Sequence, residues 1–146
     1  MKPVSGRIRV MGWVLLAGVL FLTGAAARAG SIIGTVTEPD GVTGMQNVTV
    51  EAYRDNGSGW DWAASADTGA DGTYEIGGLS AGTYRVWFHD WNGTYVGEVY
   101  DDVPGSDVWD SGTEIEVGEA ETVGGIDASL EEYARLSGMV MRSGCP

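Results

Sequence analysis

Residues Thr68–Asp90 read TGADGTYEIGGLSAGTYRVWFHD, and this stretch decides the fold. Two runs of alternating polarity, Thr73–Ile76 and Thr83–Phe88, each follow a turn that contains glycine. Asp71-Gly72 and Ala81-Gly82 supply the backbone freedom that tight turns need. Because residues two apart share one face of a strand, the stretch predicts two strands, each with one face in the core.

The alternation also predicts which side chains of these strands are buried. On the core face we expect Tyr74, Ile76, Tyr84, Val86 and Phe88. Leu79 adds one apolar side chain to a loop-like crossing between the two strands. Trp87 has the opposite parity, so we expect it to face solvent or a neighbouring module.

The rest of the chain repeats this pattern of short strands and turns. The 146 residues are 43% hydrophobic and include 24 glycines but only 4 prolines, as expected for one domain with many tight turns. Further strands are predicted at Ile32–Thr37, Gln46–Arg54, Trp60–Ala66, Tyr95–Tyr100, Thr113–Val117 and Thr122–Leu130. About eight short strands separated by turns favour a β-sandwich.

The first 29 residues have the pattern of a secretory signal peptide. Basic residues precede an uncharged run from Val10 to Ala27, and small residues occupy positions −3 and −1 of a cleavage site after Ala29. We therefore expect residues 1–29 to be removed and the protein to be secreted or to lie in the cell envelope. The run is about long enough to span a bilayer, so an uncleaved membrane anchor is the alternative.

The charge of the chain is strongly acidic. Residues beyond Ala29 keep four of the 8 basic residues and all 21 acidic residues, which gives a net charge of −17 and leaves no lysine. Nucleic acids and anionic membrane surfaces need a basic footprint, so we exclude both as partners after signal cleavage. The single cysteine, Cys145, cannot form an internal disulfide.

With the strands assigned, the segments SIIGTVT, QNVTVEAY and TGADGTYEIGGLSAGTYRVWF resemble the carboxypeptidase regulatory-like domain, and collagen-adhesin B-type repeats are similar. The matching residues are turn and core positions: Gly34, Val48, Val50, Thr68, Asp71, Gly72, Tyr74, Leu79, Gly82, Tyr84 and Val86. The resemblance implies an all-β, transthyretin-like Greek-key β-sandwich of seven to eight strands over residues 30–132. It implies a fold more firmly than a function.

Enzyme chemistry finds little support in the sequence. The zinc carboxypeptidase domain that accompanies some family members needs histidine and glutamate ligands, but this chain has one histidine. The isopeptide bond of the similar adhesin repeats needs a lysine, which residues beyond Ala29 lack. His89 precedes Asp90, but no nucleophile with a supporting motif accompanies it. We predict no catalytic residues and interpret His89 as a surface histidine at a turn.

The acidic loop from Asp101 to Ser111 is the best candidate for a metal site. Calcium prefers several carboxylate and carbonyl oxygens held on loops, and the loop offers Asp101, Asp102, Asp107 and Asp110. The alternative is that these carboxylates are solvated charges that keep the sandwich soluble. No other cofactor is expected.

Aromatic residues are the other candidate for function. Trp62 shares its parity with Ala64 and Ala66, which predicts a core position. Trp87, Trp91 and Tyr95 form a predicted platform on which sugar rings could stack. An ordinary contact with a neighbouring domain is the alternative.

The C-terminal segment, residues 133–146, has two interpretations. Leu136–Val140 matches Ile32–Val36 at an offset of 104 residues, which predicts the truncated start of a second repeat. Alternatively, the segment is a tail that adds a final strand. We predict a non-catalytic structural spacer or interaction domain of an extracellular or envelope protein. Its partners would be other extracellular modules or, as the alternative function, polysaccharide.

Overall fold

A computed structural model describes residues 28–105 and 112–134 of the chain. In these ranges the backbone forms ten strands and no helix, so no helix there could cross a bilayer. The strands are β1 (Gly30–Thr37), β2 (Thr49–Asp55), β3 (Trp60–Asp67), β4 (Thr73–Leu79), β5 (Gly82–His89), β6 (Glu98–Val99), β7 (Val103–Pro104), β8 (Ile115–Val117), β9 (Thr122–Val123) and β10 (Ala128–Ser129). The predicted signal peptide (1–27 of its 29 residues), Asp107, Asp110 and Leu136–Val140 lie outside the described residues.

The strands form two sheets. In the smaller sheet, β1 pairs antiparallel with β4 on one side and parallel with β9 and β10 on the other. The larger sheet has the order β3-β2-β5-β6-β7, and β8 also pairs with β5. The chain changes sheet after β1, β3, β4 and β8. The predicted all-β Greek-key sandwich is confirmed, although its C-terminal half is divided into more and shorter strands than expected.

Apolar side chains from both sheets fill the space between them. The fully buried ones include Ile32, Val36, Val50, Ile76, Leu79, Tyr84, Val86, Phe88 and Leu130. Tyr74 is also buried, and its hydroxyl donates a hydrogen bond to the Ile126 carbonyl at 2.6 Å. The backbone of Ile126 lies directly against Gly34, where a β-carbon would overlap the carbonyl oxygen. Gly34 and Tyr74 therefore hold the C-terminal strands against β1.

The two glycine turns of the Thr68–Asp90 stretch lie where β4 and β5 begin. Gly72 has a φ of +80°, and the Asp71 carboxylate accepts hydrogen bonds from the Thr73 N–H at 3.1 Å and hydroxyl at 2.7 Å. Gly82 is the first residue of β5. Leu79, expected in a loop-like crossing, is instead the last residue of β4 and pairs with Gly30 beyond a β-bulge.

The predicted core position of Trp62 is wrong. Ala52 pairs with Ala64 and Tyr53 pairs with Trp62, so Ala63 is an extra residue in β3. This β-bulge inverts the parity of the strand, so that Ala64 and Ala66 face the core while Trp62 lies on the outer face, 58% exposed. The alternation before and after Ala63 is regular, and nothing local in the sequence marks the inserted residue.

Candidate functional site

The loop between β5 and β6 is shaped by Asp90. Its carboxylate accepts hydrogen bonds from the backbone N–H groups of Asn92 at 2.9 Å, Thr94 at 3.1 Å and Tyr95 at 3.4 Å. The Gly93 N–H donates to the Asp90 carbonyl at 3.1 Å, and Gly93 has a φ of +69°. Local sequence thus determines this turn, which carries Trp91 at its tip.

Three rings stack across the end of β5. Trp87 and His89 share the outer face of the strand, and their rings stack with centroids 4.1 Å apart and an interplanar angle of 24°. Trp91 contacts His89 in an edge-on arrangement, with ring centroids 4.3 Å apart and an interplanar angle of 88°. Trp91 is 76% exposed, so its indole presents a broad face to solvent.

A cleft of about 260 Å³ opens beside these rings. It is lined by Trp87, His89, Asp90, Trp91, Tyr95, Gly97, Gly105 and Tyr133. The three predicted ligand-binding residues, Trp87, Trp91 and Tyr95, therefore share one cleft. That they bind a ligand remains a prediction.

Tyr133 also lines the cleft, although it lies far from the other lining residues in the sequence. The Tyr133 N–H donates to the Thr94 carbonyl at 3.1 Å, and Glu132 forms a β-bridge with Tyr95. The Tyr133 side chain is 53% exposed. Sequence reasoning missed this residue because its hydrogen bond to Thr94 joins residues 39 positions apart and no local pattern marks it.

The interpretation of His89 as a surface residue at a turn is wrong. His89 is the last residue of β5 and only 5% exposed, and the rings of Trp87 and Trp91 pack against its imidazole. Burial lowers the pKa of His89, while the carboxylates of Glu51, Asp67 and Asp90 act in the opposite direction. The imidazole is consequently neutral at pH 7.

The surroundings of His89 do not form a catalytic set. Its Nε2 atom is buried 3.7 Å from the Glu51 carboxylate, beyond hydrogen-bonding distance, and has no hydrogen-bond partner within residues 28–105 and 112–134. Glu51 instead accepts a hydrogen bond from the Tyr53 hydroxyl at 2.8 Å. A histidine that acts as a general base needs a hydrogen bond to its nucleophile, and no described residue forms one with His89 Nε2.

Trp87 is less exposed than its parity predicted. It is half-buried, and its indole N–H donates to the Gly105 carbonyl at 3.0 Å. The start of the acidic loop therefore packs over one edge of Trp87. The remaining ring surface faces His89 and the cleft.

The calcium prediction remains untested. Asp101 and Asp102 are described, whereas their proposed partners Asp107 and Asp110 are not. Among the described residues, no three carboxylate, histidine or cysteine side chains lie together as metal ligands.

Comparisons with known protein families and with curated proteins give no match. Solved structures do match. The Bacillus anthracis TIE protein is similar with a TM-score of 0.52 and 16% identity, over 72% of this chain and 18% of that one. GBS52, the minor pilin of Streptococcus agalactiae, is similar with a TM-score of 0.50 and 17% identity, over 78% of this chain and 49% of that one.

At these identities the likeness concerns the fold alone. The chain has the β-sandwich fold of domains found in these two larger proteins. It spans about a fifth of the first and about half of the second.

Proposed function

We propose that this chain is a non-catalytic extracellular β-sandwich module of the carboxypeptidase regulatory-like type, acting as a spacer or interaction domain. The residues that carry the family resemblance are the ones that build the fold. Asp71 and Gly72 form the turn before β4, and Tyr74, Tyr84 and Val86 lie in the core. The similarity of fold to parts of the TIE protein and of a minor pilin supports the β-sandwich architecture of the proposed module.

One observation supports the proposal: the core is filled, and the cleft lies outside it. Apolar side chains fill the space between the sheets, whereas the cleft lies on the outer face of the larger sheet. An interaction domain needs a rigid body with an accessible surface, and this arrangement supplies both.

Export is part of the proposal. The first strand begins at Gly30, immediately after the predicted cleavage site, so cleavage there would leave β1 intact. Expression of the full chain in a bacterial host and N-terminal sequencing of the exported protein test this. An N-terminus at Gly30 is the expected result. A protein that keeps residues 1–29 and stays in the membrane fraction would contradict it.

The absence of catalysis is tested with the exported chain and a panel of chromogenic esters, glycosides and peptides. We expect no turnover above the buffer control. Turnover that is lost in His89→Ala but kept in Trp62→Ala would show an enzyme and overturn the proposal.

Carbohydrate binding is the second candidate function, favoured by the exposed indole of Trp91 beside Tyr95 in one cleft. Stacking of a sugar on an aromatic ring needs such an open face. Retention on insoluble polysaccharides should then be lost in Trp91→Ala. The matched control is Trp62→Ala, which removes an exposed indole from the same sheet outside the cleft. Equal loss in both variants, or no retention at all, argues against this candidate.

A further inference from the structure

The cleft beside Trp91 combines aromatic faces with a fixed negative charge. Its side-chain lining consists of two indoles, two phenols, one imidazole and the Asp90 carboxylate, with neither lysine nor arginine. Neither of the two ion pairs found in the described residues involves Asp90. Aromatic faces carry negative electrostatic potential, so rings and carboxylate act in the same direction.

The charges of two lining groups, Asp90 and His89, at neutral pH follow from the directions of their pKa shifts. Partial burial works to raise the pKa of Asp90, but the backbone N–H groups of Asn92, Thr94 and Tyr95 outweigh it and lower the pKa. His89 is neutral because burial lowers its pKa. Among the described residues that line it, the cleft therefore offers an anion and no competing cation.

The Asp90 carboxylate and the Trp87 indole N–H are already engaged within the fold, and the Nε2 atom of His89, which has no hydrogen-bond partner among the described residues, is buried away from solvent. The Asp90 oxygens accept the N–H groups of the loop, and the Trp87 indole N–H donates to the Gly105 carbonyl. A sugar needs free donors and acceptors for its hydroxyls, whereas a cation held against ring faces needs none. The arrangement favours a ligand whose recognition does not depend on directional hydrogen bonds.

The size of the cleft points to a small ligand group. About 260 Å³ lies just below the range of roughly 300–1,000 Å³ that is usual for drug-sized ligands. A single head group fits this volume, whereas a chain of several sugar units would extend beyond it.

We propose that this cleft binds a trimethylammonium group, as found in choline and its derivatives, an inference that rests on the proposed role of the chain as an interaction module. The methyl groups would contact Trp91, Tyr95 and Tyr133, and the positive charge would lie near Asp90. The strongly acidic chain would also attract a cationic ligand at long range. Contacts with two or three rings correspond to a dissociation constant on the order of 1 mM.

The test is a titration of the exported chain with choline chloride, monitored by two-dimensional NMR of the indole N–H signals. The Trp87 and Trp91 signals should shift and saturate in the millimolar range. Trp91→Ala and Tyr133→Ala should each weaken binding at least 5-fold, and both side chains are exposed enough that the fold should persist. Trp62→Ala should leave the affinity unchanged.

Two comparison ligands decide the chemistry. 3,3-Dimethylbutanol has the shape of choline without its charge and should bind at least 10-fold more weakly. Equal affinity of the two would overturn the proposal, as would saturation by neutral methyl glycosides with no response to choline. Loss of binding in Trp62→Ala equal to that in Trp91→Ala would also overturn it.

Vesicles distinguish the source of the group. Sedimentation with phosphatidylcholine but not phosphatidylglycerol vesicles would identify a lipid head group, while response to free choline alone would identify a soluble or polymer-linked one. Either result supports the cleft assignment. If no choline species binds while the exported chain is folded and shows no turnover, the ligand assignment fails and the module proposal stands. Turnover that depends on His89 would overturn the module proposal independently.

Discussion

The ring of His89 stacks on the indole of Trp87 with centroids 4.1 Å apart and an interplanar angle of 24°, and Trp91 contacts the same imidazole edge-on. This stack keeps a titratable group in an apolar environment at the edge of the molecule. The position of a buried, neutral histidine next to an open cleft means that protonation of one residue alters both stability and the cleft.

We predict that His89 titrates below its ordinary pKa of 6.5, because burial disfavours the imidazolium. Below about pH 6.5 the unfolded chain then binds a proton that the folded chain does not, so this group lowers the free energy of unfolding as pH falls toward the folded pKa. An NMR titration of the single histidine measures the pKa directly. In Trp87→Ala the ring is uncovered and the pKa should rise, and a wild-type pKa at or above 6.5 would contradict the prediction.

Glu98 has the opposite pH dependence. Burial raises the pKa of Glu98 to about 7, and the nearby carboxylate of Asp102 adds to the effect. The folded chain therefore holds a proton between pH 4.5 and pH 7 that the unfolded chain releases, so the free energy of unfolding decreases as pH rises through this window.

We expect Glu98→Gln to raise the free energy of unfolding at pH 8 by an amount on the order of 2 kcal/mol and to change it little at pH 4.5. Urea denaturation at the two pH values measures the difference. The control is Glu75→Gln, which removes an exposed carboxylate from β4 and should have the same small effect at both. An identical response of the two variants would show that Glu98 titrates normally.

The contact of Gly34 with Ile126 predicts a strong effect of a single methyl group. In Gly34→Ala the new β-carbon would overlap the Ile126 carbonyl oxygen, so the C-terminal strands must shift or β1 must bend. We expect a loss of about 2–3 kcal/mol in the free energy of unfolding. Gly59→Ala is the control, because its β-carbon would meet no atom within 4 Å. Denaturant unfolding of both should separate them, and equal stability would refute the close approach.

Much of the fold could be predicted from the sequence because its strands obey local rules. The Asp71-Gly72 turn and the alternation within β4 and β5 depend only on neighbouring residues, so both strands can be recognised from the sequence. The cleft could be predicted in part for the same reason. Trp87, Trp91 and Tyr95 are close together in the chain, and the turn at Asn92-Gly93 reverses the chain direction between Trp91 and Tyr95.

What the sequence could not indicate depends on contacts between distant residues. Tyr133 reaches the cleft through a bridge between Glu132 and Tyr95, and His89 is buried by rings whose directions follow from the folded loop. The orientation of Trp62 depends on the bulge at Ala63, which is defined only by the partner strand. Periodicity within one strand carries no record of such pairings.

The bulge at Ala63 leads to the last prediction. Deletion of Ala63 would make Trp62 and Ala64 neighbours in the chain and would keep the pairs Tyr53–Trp62 and Ala52–Ala64. The strand would then alternate regularly, with Trp62 still on the outer face and Ala64 and Ala66 still facing the core. We therefore expect the deletion to be tolerated, with a loss of about 1–2 kcal/mol in the free energy of unfolding from the packing of Ala63 against the core. Failure of the deletion variant to fold would contradict the bulge.

Trp62→Ala tests directly whether the indole lies on the outer face. Because Trp62 is 58% exposed, its truncation should change the free energy of unfolding by less than about 1 kcal/mol, whereas Phe88→Ala in the core should cost about 3–5 kcal/mol. Thermal and urea unfolding of the three variants supply the comparison. If Trp62→Ala lost as much stability as Phe88→Ala, Trp62 would have to lie in the core, and the bulge at Ala63 would be contradicted.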